Sequence, residues 1–312
     1  MINKEEITKA YQRIAPFIRR TPVVESGAGT FGLPFSINMK LEQVQHSGSF
    51  KARGAFNSLL QMKVPEGGVA AASGGNHGAA VACAASALGH KAKIFVPEIS
   101  NPAKIKKIRH YGAEVHVEGA AYADAAALCA RHQEETGAID IHAYDAPGTI
   151  NGQGTVALEW AAQAPDLDTV LVAVGGGGLI GGMSCYYQNG IDVIAVEPGG
   201  ACSLHAALAA NEPVDVEVNS VAANSLGAKR CGTHTFALAK EYVSQSVLVN
   251  DADILDAQAR LWTQMQLAVE PGAATALAAL ISGAYQPKQG ERVGVLVCGG
   301  NADLGQLEQA LG

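Results

Sequence analysis

The segment Ser47-Gly48-Ser49-Phe50-Lys51-Ala52-Arg53-Gly54-Ala55-Phe56 sets a lysine in the first turn of a helix, at the end where the peptide dipole disfavours a cation. Ala52, Ala55, Phe56, Leu59 and Leu60 mark the face such a helix would bury, and Lys51 borders it. Desolvation and the dipole both act against the ammonium form. An amine held in this way is a usable nucleophile or base, which a solvated surface lysine is not.

Two more segments offer anion sites made of backbone. Val172-Ala173-Val174 runs into Gly175-Gly176-Gly177-Gly178-Leu179-Ile180-Gly181-Gly182, a strand entering a helix through a turn nearly free of side chains. Bare N–H groups there, with the positive end of the helix dipole, make a phosphate site that needs no Lys or Arg. Helix-to-sheet packing would account for one or two glycines but not for six within eight residues. The loop also contains GxGxxG at Gly176, Gly178 and Gly181, with Glu197 ending the next strand about twenty residues on, as in a dinucleotide-binding turn. An NAD-binding oxidoreductase is therefore an alternative reading, although the motif lies in mid-chain and leaves Lys51 unexplained.

Ala71-Ala72-Ser73-Gly74-Gly75-Asn76-His77-Gly78 is a second strand end, small-residue turn and helix start. The neutral donors of Ser73 and Asn76 suit a carboxylate or phenolate better than a metal. His77 reads as a capping or packing residue. In Val295-Leu296-Val297-Cys298-Gly299-Gly300-Asn301 a C-terminal strand delivers Cys298 to a glycine turn, on the sheet edge where ligands of open α/β folds collect.

These turns need strands and helices to hold them. Strands are expected over Ile37 to Leu41, Val69 to Ala72, Lys93 to Val96, Glu114 to Val117, Thr169 to Val174, Val193 to Glu197 and Arg292 to Val297. Helices are expected near Glu5 to Ile18, Ala52 to Met62, His77 to Leu88, Pro102 to Tyr111, Tyr122 to Glu135, Gly154 to Gln163, Ile254 to Leu267 and Ala273 to Ser282. Such alternation predicts an α/β fold with mostly parallel sheets covered on both faces. Residues 68–145 are expected to form a small mobile lobe, and residues 1–67 with 146–312 the large cofactor-binding lobe. Pro65-Glu66-Gly67-Gly68 and Asp145-Ala146-Pro147-Gly148 would serve as hinges. The basic cluster Lys104, Lys106, Lys107 and Arg109 reads as a solvated helix face, because Ile105 and Ile108 supply the buried stripe.

Composition narrows the class. Of 312 residues, 48% are hydrophobic and 16% charged, which excludes a disordered chain. With 22 Lys+Arg against 29 Asp+Glu, a net charge of −7, and no basic stripe, nucleic acid is not an expected partner. The six cysteines form no CxxC and the nine histidines no zinc-binding spacing. A charged start, Met1-Ile2-Asn3-Lys4-Glu5-Glu6, and scattered cysteines favour the cytoplasm. The uncharged run from Thr169 to Ile191 carries seven glycines and a polar end, so it reads as a soluble turn and not as a membrane span.

Taken in order, the Lys51 segment, Ser73 to Gly78, Gly175 to Leu179 and Cys298 to Asn301 resemble the fold type II pyridoxal-phosphate enzymes, the tryptophan synthase beta-like superfamily. The closest resemblance is to the threonine/serine dehydratase branch, near serine racemase. It extends from Thr21-Pro22 through Gly152-Gln153-Gly154-Thr155 and Glu270-Pro271-Gly272 to Asn301. The resemblance implies that Lys51 forms the internal Schiff base with pyridoxal 5'-phosphate and that Phe50 packs beside its ring. It also implies that Asn76 bonds the phenolic oxygen, that Gly175, Gly176, Gly177, Gly178 and Leu179 hold the phosphate, and that Cys298 approaches the pyridine nitrogen. Ser73, Gly74, Gly75, Asn76 and His77 would receive the substrate carboxylate. A thiol partner to the nitrogen favours elimination over transamination.

The expected reaction is β-elimination of water from L-threonine or L-serine, giving a 2-oxo acid and ammonia. Alternatives are a dehydratase for phenylserine or 3-hydroxyaspartate and, from another class, a pyridoxal-phosphate-binding protein without turnover. Serine racemases carry a hydroxyl residue where Gly74 stands, so racemisation is not expected, and a positive φ at Gly74 would oppose any side chain. Glu197 and Ala201 match that family's cation site, but Ser203 replaces its aspartate, so no metal is expected. The biosynthetic branch carries a further C-terminal regulatory domain, which a chain ending at Gly312 is not expected to have. The expected partners are a small amino-acid substrate and a second copy of the chain, as a homodimer or higher homo-oligomer, with no membrane.

Overall fold

Buried β-rich runs assemble into two sheets, seen in a computed structural model that describes residues 1–312 apart from Asn101, Leu304, Gln306 and 309–312. The chain opens with α1 (Lys4–Ile14), whose first turn is capped by Asn3, the Glu6 amide donating to Asn3 Oδ1 at 2.8 Å. It continues through β1 (Val23–Ser26), β2 (Ile37–Leu41) and α2 (Lys51–Leu59). An alternating run follows: β3 (Val69–Ala72), α3 (Asn76–Ala87), β4 (Ala92–Val96), α4 (Pro102–His110), β5 (Glu114–Val117), α5 (Tyr122–Thr136) and β6 (Ile139–Asp140). Then come α6 (Pro147–Gln163), β7 (Thr169–Ala173), α7 (Gly178–Tyr187), β8 (Asp192–Pro198), α8 (Ser203–Ala210), α9 (Ala223–Leu226) and α10 (Thr233–Tyr242). The described elements end with β9 (Gln245–Val249), α11 (Asp251–Met265), α12 (Pro271–Ile281) and β10 (Val293–Val297).

One sheet has the strand order β1-β2-β10-β7-β8-β9 and the other β5-β4-β3-β6. Among the described strands only β1 is antiparallel to its neighbour. The central strands β7 and β10 are buried along their whole length, as parallel strands covered on both faces must be. The seven expected strands agree with the observed ones to within a residue at each end.

β1, β6 and β9 were not expected. Nor were α8, α9 and α10, whose weak amphipathic pattern leaves little periodicity to read. The helix expected from Gly154 begins at Pro147, a residue suited to the first helical position. The glycines that disguise its first half allow close contact: a Cβ at Gly152 would lie 2.6 Å from Arg53 O, and one at Gly154 2.8 Å from Gly182 O. Pro147 and Gly148, expected within a hinge, are therefore helical.

The smaller sheet is built wholly from residues 69–140, yet its core also takes in Ile14 and the Ala52, Ala55, Phe56 and Leu59 face of α2. The helix that carries Lys51 thus stands between the two sheets. Another side of α2 enters a closed ionic cluster. Arg53 donates from Nε to Glu42 Oε2 at 2.8 Å and from Nη2 to Glu42 Oε1 and Glu159 Oε1 at 2.7 and 3.1 Å. Lys40 donates to Glu159 Oε1 at 2.5 Å. Two cations and two anions, all fully buried, balance one another. All six cysteines are free thiols. Among the described residues no helix is long and apolar enough to cross a membrane.

Candidate active site

Lys51 is the first residue of α2 and is fixed by its backbone to the end of β10. The Phe50 amide donates to Cys298 O at 3.2 Å, and Ser49 pairs with Gly299 in an isolated antiparallel bridge. Lys51 Nζ donates to Ala143 O at 2.8 Å and lies 5.3 Å from the centre of the Phe50 ring. Burial brings its pKa down to about 8, against the opposing pull of Cys298 and Glu270. Cys298 is itself pushed well above the usual thiol range, first by burial and then by Glu270, so it stays protonated. Burial also raises Glu270, whose Oε1 accepts from Asn76 Nδ2 at 2.5 Å.

The turn before α3 is an open nest. Gly75 stands at the N-cap and has no side chain to cap the helix, which leaves the first amides of α3 to a ligand. Ser73 Oγ accepts from the Gly75 amide at 3.3 Å. His77 Nε2 bonds Ile141 O at 2.7 Å, so that nitrogen carries the proton, a carbonyl being only an acceptor. Burial, followed by the nearby Lys51 charge, lowers His77 to about 3. Its imidazole is a neutral tie to the segment that follows β6. Gly74 does not have the positive φ that would bar a side chain. What would obstruct one is Ser100, whose Oγ lies 2.7 Å from the position of an added Cβ.

A cavity lined by Phe50, Lys51, Asn76, Tyr144, Gly175 to Leu179 and Cys298 joins these parts. Gly177 caps α7 with φ +88°, a conformation that favours glycine, and offers no capping side chain. A Cβ at Gly176 would run into the Tyr144 ring, and one at Gly178 into Tyr144 O. The loop is therefore a cradle of bare amides at a helix N-terminus, which fits a phosphate. With Lys51 at one side, a buried thiol beside it and Asn76 opposite Glu270, the donor set fits a phosphorylated pyridine aldehyde. Gly175, Gly176, Gly177, Gly178, Leu179, Lys51, Phe50, Asn76 and Cys298 all lie around this one cavity.

Glu197, Ala201 and Ser203 lie behind the glycine loop. Glu197 accepts from the amides of Leu204 and His205 at 2.9 and 2.7 Å, and burial raises it to about 8. Ser203 Oγ donates to Gly175 O at 3.2 Å. The N-terminal amides of α8 thus occupy the carboxylate. Among the described residues no cluster of three or more His, Cys, Asp or Glu could hold a metal.

Tyr144, Ala143 and Lys107 belong to the site without any expectation from their sequence context, and Glu270 and Asn301 carry contacts beyond their places in motifs. The strand-free segment 141–146 carries no pattern to mark Tyr144 and Ala143. Lys107 departs from the solvated face expected for the cluster. It is half-buried and donates to Asn301 Oδ1, while Lys106 and Arg109 of the same helix are exposed. Periodicity located the buried stripe correctly, but it could not show that a loop after β10 covers one flank.

Residues 14–299 match the family model described as pyridoxal-phosphate dependent enzyme. The chain is 35% identical over 316 residues to the L-threonine ammonia-lyase of Thermotoga maritima, covering 100% of this chain and 78% of that one. It is 37% identical over 307 residues to the phenylserine dehydratase of Ralstonia pickettii, covering 96% and 93%. The structure of maize serine racemase superposes with a TM-score of 0.91 at 34% identity, covering 99% and 97%. The dinucleotide reading of the glycine loop gives way to these matches. The cavity around Lys51 and the match along nearly the whole chain lead to one assignment: the protein belongs to the fold type II pyridoxal-phosphate dependent enzymes, in the threonine/serine dehydratase branch.

Proposed function

We propose that the protein is a lyase that removes water from a β-hydroxy amino acid, L-threonine or L-serine, to release a 2-oxo acid and ammonia. The observation that carries this reading is the company Lys51 keeps. An amine with a pKa near 8 faces two acids, Cys298 and Glu270, that burial drives toward their neutral forms. Pyridoxal phosphate, when bound, supplies the electron sink that makes an α-proton removable. Lys51, partly neutral at physiological pH, is the base placed to take that proton. The first amides of α3 and the Ser73 turn receive the substrate carboxylate, and the amides of Gly175 to Leu179 hold the phosphate. A neutral thiol at the end of β10 leaves the sink weaker than a carboxylate would, which favours loss of a leaving group over longer-lived carbanion chemistry.

Residues 68–145 would act as the lobe that closes on substrate, because they carry the Asn76 turn while Lys51 and the glycine loop lie outside them. The Ralstonia pickettii relative supports a second substrate, phenylserine, and Tyr144 lines the cavity beside Gly176. A screen of L-threonine, L-serine, phenylserine and 3-hydroxyaspartate with the cofactor-loaded enzyme tests the proposal. Equal release of ammonia and 2-oxo acid from threonine or serine is expected. Inversion of configuration without ammonia, or no 2-oxo acid from any of the four, would refute it.

A further inference from the structure

The fold splits the basic cluster of α4 in two. Lys104 and Lys107 lie one helical turn apart and so on one stripe; Lys104 lines a small pocket with Glu270 and Asn301, and Lys107 reaches Asn301 itself. Lys107 Nζ meets an amide oxygen, Asn301 Oδ1, and not a carboxylate. An ammonium can only donate. Asn301 must therefore present its oxygen to Lys107 and its Nδ2 to the other side, where it donates to Ser47 O at 2.9 Å and to Asn76 Oδ1 at 2.6 Å. With its oxygen taken, Asn76 turns Nδ2 inward and gives one hydrogen to Glu270 Oε1 at 2.5 Å. The second Nδ2 hydrogen is left for the cavity.

A carboxamide is nearly symmetric in shape, so packing alone does not decide which end faces a ligand. A chain of two amides could sit in either of two opposite senses. A flipped Asn76 would set a lone pair against any oxyanion in the cavity. Two one-way groups at Asn301, the donor-only Lys107 on its oxygen and the acceptor-only Ser47 carbonyl on its nitrogen, together remove this degeneracy. Asn301 lies beyond β10 of the larger sheet, whereas Lys107 and Asn76 belong to helices that cover the smaller one. The relay therefore sets its sense only when the two halves of the site are together.

We propose that Lys107 is a positioning residue that, together with the Ser47 carbonyl, fixes the amide sense of Asn301 and, through it, of Asn76, so that the cofactor's ring oxygen meets an N–H donor. This rests on the reading of Asn76 as a cofactor ligand. Once set, the relay acts on cofactor affinity and on the protonation balance of the bound cofactor, which its absorption bands report.

Lys107→Met keeps most of the side-chain bulk and removes the donor. In the cofactor-loaded enzyme it should weaken pyridoxal phosphate binding about 10-fold, the order expected for one hydrogen bond to a charged partner, and alter the ratio of the cofactor absorption bands at fixed pH. Lys107→Arg should restore both. Asn301→Ala should reproduce the change, and the double variant should be no worse than Asn301→Ala alone, as for residues acting in series. Lys106→Met, on the exposed side of the same helix, should leave affinity and spectrum unaltered. A folded Lys107→Met enzyme with parental affinity and spectrum would overturn the proposal, as would additive losses in the double variant. If Lys107→Met does not fold, Lys107→Leu, which also lacks a donor, carries the same test. Asn76→Ala separates the two levels of the argument. If it leaves the spectrum unchanged, the cofactor-ligand reading fails and the proposal with it; if it shifts the spectrum while Lys107→Met does not, only the proposal fails.

Discussion

Lys40 is fully buried and Lys51 half-buried in the cavity wall, and they show what loss of water does with and without enough acceptors. Lys40 donates to Glu159 Oε1 at 2.5 Å, Gln163 Oε1 at 2.7 Å and Thr21 O at 2.9 Å, inside a cluster where Glu42 and Glu159 face Arg53. Burial lowers its pKa, and both carboxylates pull it back. Its three ammonium hydrogens are used. Lys51 has the Ala143 carbonyl and two acids that burial keeps near neutral. Burial disfavours both ammonium groups, and the local supply of acceptors and counter-charge decides whether a proton can be given up. The cluster closes a structural joint, and the incomplete site keeps an amine available.

The contrast breaks most visibly at Lys51. Lys51→Ala should reduce turnover by more than about 10⁴-fold, the upper range for a single positioned base, with the fold retained; steady-state assays with circular dichroism check this. On the paired side, Glu159→Ala strands Lys40 and Arg53 without one of their anions and should destabilise the protein by about 3–5 kcal/mol. Urea unfolding measures that loss, and a change below about 1 kcal/mol would mean the cluster is not the joint described.

Removing the cation from the unpaired side should have the opposite sign. Lys51 has a folded-state pKa of about 8 against 10.5 for a free lysine. The unfolded chain therefore binds the proton more tightly between those values, and stability rises with pH across that window. Below pH 8 the charged amine is a net cost. Apoprotein carrying Lys51→Met should be more stable than the parent by about 2–3 kcal/mol at pH 7. The advantage should fade as the pH rises through 8 to 10.5, a trend that thermal melts across this range would reveal.

The smallest expected effect concerns the face opposite the base. Gly74 lacks a hydroxyl, but Ser100 Oγ sits 2.7 Å from where a Cβ would be. Gly74→Ser alone should gain little, because its new side chain meets Ser100. Combined with Ser100→Ala, it should raise the ratio of D-serine to pyruvate formed from L-serine. Chiral chromatography reads the ratio, and equal ratios in the parent and the double variant would remove Gly74 from the account.

Much of the site was legible in sequence because its parts are local. A lysine at a helix start, and two side-chain-free turns between strand and helix, are recognisable from a few adjacent residues, and Cys298 is announced by the strand before it. What could not be read depends on approach from a distance. Arg53 lies two residues from Lys51 in the same motif, yet it joins Glu42 and Glu159 in a structural cluster, and no spacing tells the two cations apart. Glu270, Asn301 and Lys107 acquire meaning only where the turn after β10 meets α3 and α4. In α6, glycines that a propensity reading counts against a helix are the ones that let it touch α2 and α7.

The central claim is that one amine among the lysines, held near the glycine cradle with its charge uncompensated, bonds the cofactor. Borohydride reduction of the cofactor-loaded enzyme, followed by peptide mapping, tests it directly. The account predicts a pyridoxyl label on Lys51 and on no other lysine. A label on Lys40 or Lys107, or no stable label at all, would contradict it.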